Sequence, residues 1–268
     1  MDGAVEWTAR SLADEFREVG AGWVVRSRSL SRVHSLNRLQ VRVAADPKDV
    51  VALADAHLSD LPYRHLEVDD EGTAAALEDA LVTPERGWKV DREVYMVLGA
   101  PPESRTTRED GDEDGEEDGD GDGDGDARPD ALVRLNGEEM DALMRRWLLE
   151  ERVDAGALDE LSEYNRREGA LWNEVVLGVR EAGVPVALTK SRSHGGVGWV
   201  EDVYTVPGAR RKGYARLLVS HAIALARAAA HELTFIVADD NDWPKHLYAE
   251  LGFEPVGCTW TFHCDLPR

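Results

Sequence analysis

Cysteine is nearly absent: Cys258 and Cys264 are the only two among 268 residues. Six positions apart on one strand, they would face the same side at a separation no disulfide spans. Without such staples the chain fits a reducing compartment. Long apolar runs are missing too. No stretch of 18 apolar residues exists to cross a membrane, and the opening MDGAVEWTARSLADEF lacks the basic-then-apolar order of a signal peptide. A cytoplasmic protein is the expectation. Positive charge is also short, with 31 Lys and Arg against 53 Asp and Glu and a net charge of −22. That balance argues against nonspecific nucleic-acid binding and suits neutral or cationic small substrates. No Cys/His cluster has the spacing of a metal site, so no metal is expected. No nucleophile–base constellation stands out either, which favours direct transfer over a covalent intermediate.

The acid is unevenly placed. Twelve carboxylates and no base fall between Glu109 and Asp126, leaving −10 for everything else. Residues 101–130, opened by Pro101-Pro102 and continued as an Asp/Gly run, cannot bury enough apolar area to offset chain entropy. They read as a disordered acidic linker between residues 1–100 and 131–268. The spacing Asp120-x-Asp122-x-Asp124-Gly125 imitates half of a calcium loop, but Ala131 stands where the closing Glu belongs, so a solvated spacer is the better reading.

On either side of the linker the elements recur in one rhythm. A short helix expected from Leu12, Phe16 and Val19 and then Gly22-Trp23-Val24-Val25 come first. Then follow strand 39–43, a helix opened by Asp46-Pro47, strand 64–68, helix 72–82, Gly87-Trp88 and strand 90–98. After the linker, Asn136 and Glu139 form a capping box before the stripe Met140, Leu143, Met144, Trp147, Leu148. A helix over about 157–168 and three antiparallel strands (173–181, 186–191, 198–206) lead to helix 213–230, strand 233–238, helix 244–250, Gly252-Phe253 and strand 256–264. The matching order of strand 39–43 to strand 90–98 and of strand 198–206 to strand 256–264 points to an internal duplication. Arg26, Arg28, Arg32 and Asn37, dense on a hairpin, read as facing water rather than lining a cleft. His194 reads as a loop residue, and His221, His246 and His263 as surface or packing residues.

The stretch Arg210-Arg211-Lys212-Gly213-Tyr214-Ala215 sets three cations and a glycine before an apolar-striped helix. A helix start with free N–H groups and added cations is a pyrophosphate seat, and Gly213 admits the phosphate without a Cβ in the way. The first half has Ala44-Ala45-Asp46-Pro47 at the corresponding place and should bind no phosphate. Arg210-x-x-Gly213-x-Ala215 fits the [Q/R]-x-x-G-x-[G/A] signature of the GNAT N-acetyltransferases. Asn241-x-x-Pro244-x-x-x-Tyr248-x-x-Leu251-Gly252-Phe253 resembles that family's second motif, with proline in place of alanine. Residues 133–268 carry the resemblance; the first half looks like a degenerate copy.

The resemblance implies an α/β (α+β) protein of two GNAT-like mixed-sheet domains flanked by helices, using acetyl-CoA to acetylate a primary amine of a small acceptor in a ternary complex. The strand before the signature would splay from the next one, and Val203, Tyr204 and Thr205 would lie along the pantetheine. The N–H groups of Arg211, Lys212, Gly213, Tyr214 and Ala215 would hold the pyrophosphate, with Asn241 near the pantetheine. Tyr248 matches the tyrosine that gives a proton to the departing thiolate. Glu201 matches the place of a general base, with Asp202 as the alternative; strict alternation would set Glu201, Val203 and Thr205 on one face and Asp202 and Tyr204 on the other. The competing reading is a catalytically inactive acyl-CoA-binding sensor or scaffold.

Overall fold

The computed structural model describes residues 2–100 and 132–266, so the acidic linker, its calcium-like spacing and the two domain boundaries lie outside the described residues. The N-terminal part runs α1 (Asp2–Leu12), β1 (Glu15–Val19), β2 (Gly22–Arg26), β3 (Arg38–Val41), α2 (Pro47–His57), β4 (Tyr63–Val68), α3 (Glu71–Leu81) and β5 (Lys89–Leu98). The C-terminal part runs β6 (Leu132–Arg134), α4 (Gly137–Glu150), α5 (Leu158–Leu171), β7 (Val175–Glu181), β8 (Val184–His194), β9 (Val197–Thr205), α6 (Tyr214–Ala228), β10 (Leu233–Asp239), α7 (Pro244–Glu250) and β11 (Phe253–Asp265). Caps begin the helices where the sequence puts them. The Asp46 carboxylate accepts from the Lys48 N–H with Pro47 in the first turn. Asn136 and Glu139 close a capping box on α4.

One eleven-stranded sheet holds both parts, in the order β1-β2-β3-β4-β11-β5-β10-β9-β8-β7-β6. The order is nearly palindromic about the β11–β5 pair. Outward on one side, β4 runs antiparallel to β11 and parallel to β3; on the other, β10 runs antiparallel to β5 and parallel to β9. Each part has thus given its last strand to the other: β5 lies beside β10, and β11 beside β4. Side chains alternate across this sheet. Leu66, Val68 and Phe262 face α2 and α3 in one core, and Val94, Met96, Ile236 and Ala238 face α6 and α7 in another. The opposite face carries α1, α4 and α5. There Trp172, at the end of α5, is buried among Trp7, Trp199 and Phe235, and its Nε1–H donates to Thr8 Oγ1 of α1 at 2.8 Å.

Two expectations fail locally. Leu12, Phe16 and Val19 do not share a helix: α1 stops at Leu12, and Phe16 and Val19 belong to β1, which pairs with β2 across a tight turn at Gly20 and Ala21. In the hairpin region, Arg28 and Arg32 do reach water, but Asn37 is wholly buried. Its side chain accepts from the Ser27 N–H and donates to the Leu30 and Val33 carbonyls, holding the loop together from within. Arg26 is engaged by both oxygens of Asp60. Both cysteines are free. Among the described residues, no helix is long and apolar enough to cross a membrane.

Candidate active site

Strand β9 departs from strict alternation at its centre. Asp202 has φ 53, and the register with β8 jumps from Leu188↔Tyr204 to Lys190↔Glu201, so Asp202 and Val203 together oppose Thr189. This β-bulge adds one residue and turns the side chains after it by half a period. Glu201 and Asp202 therefore both face α5, while Val203 joins the core under α6. The expected common face of Glu201, Val203 and Thr205 is broken here. Tyr204 turns to α4, where it stacks on Trp147 and donates to Glu150 at 2.7 Å.

Beyond the bulge β9 leaves its parallel neighbour. Pairing with β10 runs from Val197↔Leu233 to Val200↔Ile236 and ends there, although the strands continue to Thr205 and Asp239. Backbone groups of Val203 and Thr205 are thereby left without a β10 partner. The chain then passes through a 3-10 turn (Pro207–Ala209) into the basic turn. Arg211 at φ 64 and Gly213 at φ 76 are left-handed, and Gly213 opens α6 with no side chain capping its first N–H groups. Arg210 donates to the Thr205 carbonyl and reaches Glu150 at 3.2 Å; Lys212 pairs with Glu181 at 2.8 Å, beside the Tyr214 hydroxyl at 2.9 Å. These exposed pairs are weak, and an anion at the helix start can compete for both cations. Ala215 sits half-buried in the first turn of α6, and Asn241 is exposed between β10 and α7, its N–H donating to Asp239 at 2.7 Å.

Tyr248 projects from α7 into the core beside Phe253. Burial raises its pKa well above the ordinary value, and the negative charges of Asp242 and Asp202 raise it further. The phenol is thus protonated at neutral pH.

On the α1/α5 side a cavity of about 360 Å³ runs along the middle strands up to where β9 and β10 part; Trp199, Glu201 and Val237 are on its wall. Its size is that of a small-molecule site. Four carboxylates reach it, Glu67, Glu93, Glu168 and Glu201, supplied by four different elements and both parts of the chain. Two of them are committed to Arg192, a fully buried residue of β8 that binds Glu168 and Glu174 at 2.8 Å each and also Glu201, and lies over the Trp199 ring. Burial penalises that charge, and Glu168, Glu174 and Asp202 more than offset the penalty. Asp202 is held by the equally buried Lys190 at 2.5 Å, which also donates to Asn165 of α5. Glu67 pairs with Arg38 at 2.8 Å.

Glu93 is different. No hydrogen bond or ion pair engages its side chain among the described residues, and the residue as a whole is exposed, with its carboxyl against the cavity wall. Desolvation within the cavity, with Glu67, Asp239 and Asp91 nearby, pushes its pKa up to about 7. Sequence patterning offered no reason to single it out. Alternation sets Glu93 and Tyr95 on one face of β5, but only the pairing of β5 with β10 brings that face to the cavity.

The histidines also divide. His194 stacks on Trp7 at 3.8 Å, and His221 and His246 lie apart from the cavity. His263, expected to be a surface or packing residue, lies with His34 and His65 in one cluster. Burial lowers His34 to about 4 and His65 well below its usual value, so both rings are neutral at pH 7.

Residues 140–253 match the acetyltransferase (GNAT) family. No curated protein matches the chain. Several solved structures share the fold across almost the whole chain. A GCN5-related N-acetyltransferase from Kribbella flavida is 17% identical with a TM-score of 0.56, covering 100% of this chain and 95% of that one. A functionally unknown conserved protein from Staphylococcus epidermidis is 12% identical with a TM-score of 0.63, covering 96% and 95%. A GCN5-related N-acetyltransferase-like protein from Streptococcus suis is 12% identical with a TM-score of 0.50, covering 97% and 92%. The likeness to these structures shows a mixed α/β fold with one large mixed sheet. Residues 140–253 form a domain of the GNAT acetyltransferase family.

Proposed function

We propose that the protein is an acetyl-CoA-dependent N-acetyltransferase acting on a small cationic amine, with its donor site in the C-terminal part and its acceptor site shared between the two parts. The observation that carries this reading is the parting of β9 and β10 after Val200 and Ile236, between the uncapped start of α6 and the acidic cavity. Acetyl-CoA supplies an activated thioester. The edge of β9 over Val203, Tyr204 and Thr205 that β10 leaves unpaired is suited to its pantetheine amides, Asn241 stands near the same arm, and the N–H groups of 211–215 meet the pyrophosphate with Arg210 and Lys212 beside them. A Cβ-free, left-handed Gly213 permits that approach.

The carboxylates of the cavity attract an ammonium group, and Glu93 takes its proton, directly or through water. Its pKa near 7 suits a base working at neutral pH. As the amine nitrogen bonds to the acetyl carbon and the carbon–sulfur bond breaks, Tyr248 gives its proton to the sulfur; the nitrogen sheds its second proton to solvent, from which Tyr248 is reprotonated. Glu201 is nearer the place the family resemblance implies for a base, but its carboxylate is held by Arg192; orienting the acceptor and the strand is the role this pairing favours. The near-palindromic order supports a tandem duplication in which only the second copy kept the phosphate seat.

The test is thiol release from acetyl-CoA across a panel of cationic and neutral amines, with Tyr248→Phe alongside. Cationic amines should be turned over best. Tyr248→Phe should lower kcat by roughly 10²-fold, at the lower end of general-acid effects, with acetyl-CoA affinity nearly unchanged. Tight acetyl-CoA binding with no thiol released from any amine would instead support a sensor or scaffold.

A further inference from the structure

His34 precedes β3, His65 lies on β4 and His263 on β11, so the three come from segments far apart in sequence and meet only because β11 inserts beside β4. A ligand nitrogen from each lies within 4.8 Å of the others. The rings are close, with centroids of His34 and His263 4.6 Å apart and those of His34 and His65 5.2 Å apart. Two nitrogens here have no use within the fold. His65 is 8% exposed, and its Nδ1 is buried without a hydrogen-bond partner; Nδ1 of His263 is likewise buried and unpartnered. Buried polar atoms ordinarily find partners, and two orphans in one cluster need an explanation. The other nitrogen of His263, Nε2, lies 3.2 Å from the Asp265 carboxylate. A carboxylate on one ring nitrogen fixes the tautomer and leaves the opposite lone pair facing inward, as in metal-binding histidines.

We propose that His34, His65 and His263 bind one borderline divalent cation of the Zn²⁺ type. Three imidazoles with nitrogens about 2.0–2.1 Å from an ion sit about 3.3 Å from one another, so modest rotation of the half-buried His34 and His263 closes the set. Imidazole donors suit Zn²⁺ and Co²⁺ and not the hard, oxygen-seeking cations. His34 and His65 are also on the wall of the acidic cavity, so an ion held here is reached from it. The site is separate from the donor cradle and rests on none of its residues.

The full-length chain, stripped with a chelator and dialysed, is titrated with Co²⁺ and followed by visible absorption. It is then back-titrated with Zn²⁺, and melting is recorded with and without Zn²⁺. One ion per chain, a visible Co²⁺ band bleached by Zn²⁺, and a raised melting temperature are expected. His34→Ala and His263→Ala should abolish the band, Asp265→Asn should weaken binding about 10-fold, and His246→Ala should change nothing. The half-buried His34 makes its variant the decisive one if His65→Ala fails to fold. No band in the wild-type chain, or a band that survives in folded His34→Ala, overturns the site.

Discussion

At the scale of single residues, the proposed chemistry depends on two groups whose proton affinities are both raised, with opposite uses. Tyr248 is kept protonated and can only give; Glu93, near 7, can take. A carboxyl raised in the fold above its unfolded value makes two pH-dependent statements. For activity, a base must be ionised, so kcat/KM should rise through an acidic limb near pH 7 and level off above it. For stability, the folded state favours the protonated form. The stabilisation is therefore full below the unfolded value, near 4.5, and is lost as pH rises through about 7. Glu93→Gln should thus cut kcat/KM by roughly 10²-fold or more and flatten the acidic limb. It should also melt higher than wild type at pH 8 and close to it at pH 4.5. Glu201→Gln should keep the limb. An unshifted limb in the Glu93 variant would pass the role of base to Glu201. Tyr248 was legible in the sequence because it stands at a fixed distance from Asn241 and Gly252. Glu93 was not, because a charge in a strand is unremarkable until the neighbours of that strand are known. Arg192 and Lys190 were hidden for a similar reason: side chains that usually face water are here wholly buried, each beside a carboxylate of β9.

At the scale of elements, most of the chain was readable. Caps at Asp46 and Asn136, the stripe of α4 and the three-strand meander β7–β8–β9 all have local causes, and the structure has them where periodicity put them. The bulge in β9 had no such signal. Asp202 is of a residue type that tolerates the left-handed region, but a single Asp in an alternating strand does not announce an extra residue. The turn before α6 is the contrasting case, since its glycine is where the backbone needs one. At φ 76, a residue with a Cβ is strained by roughly 1–2 kcal/mol, and more when β-branched. Gly213→Val should therefore lower the melting temperature by about 2–8 °C. Acetyl-CoA affinity should fall at least about 10-fold, because the Cβ occupies the approach to the free N–H groups. Calorimetry with acetyl-CoA separates the two effects. A less stable variant that binds acetyl-CoA as wild type does would move the pyrophosphate away from this turn.

At the scale of the whole molecule, the element order told of two similar parts but not of their exchange of strands. A strand such as β5 carries no label saying whether it will lie beside β4 or β10; that is decided by long-range pairing. The exchange has consequences for how far the parts are independent. β11 makes ten register pairs with β5 and six with β4, and β5 makes five more with β10. Residues 132–268 alone would therefore leave β10 and both sides of β11 as open edges, which invite aggregation. They would also lack Glu93, and with it the proposed base. If a protease site is placed within 101–131 and cut after folding, the two pieces should stay together through size exclusion and keep thiol release at the uncut rate. The C-terminal piece expressed by itself should be insoluble or associate with itself, and co-expression with residues 1–100 should restore a soluble pair. A monomeric, acetyl-CoA-binding 132–268 fragment with full activity would show that the acceptor site needs nothing from the first part, and the shared cavity would then have to be given up.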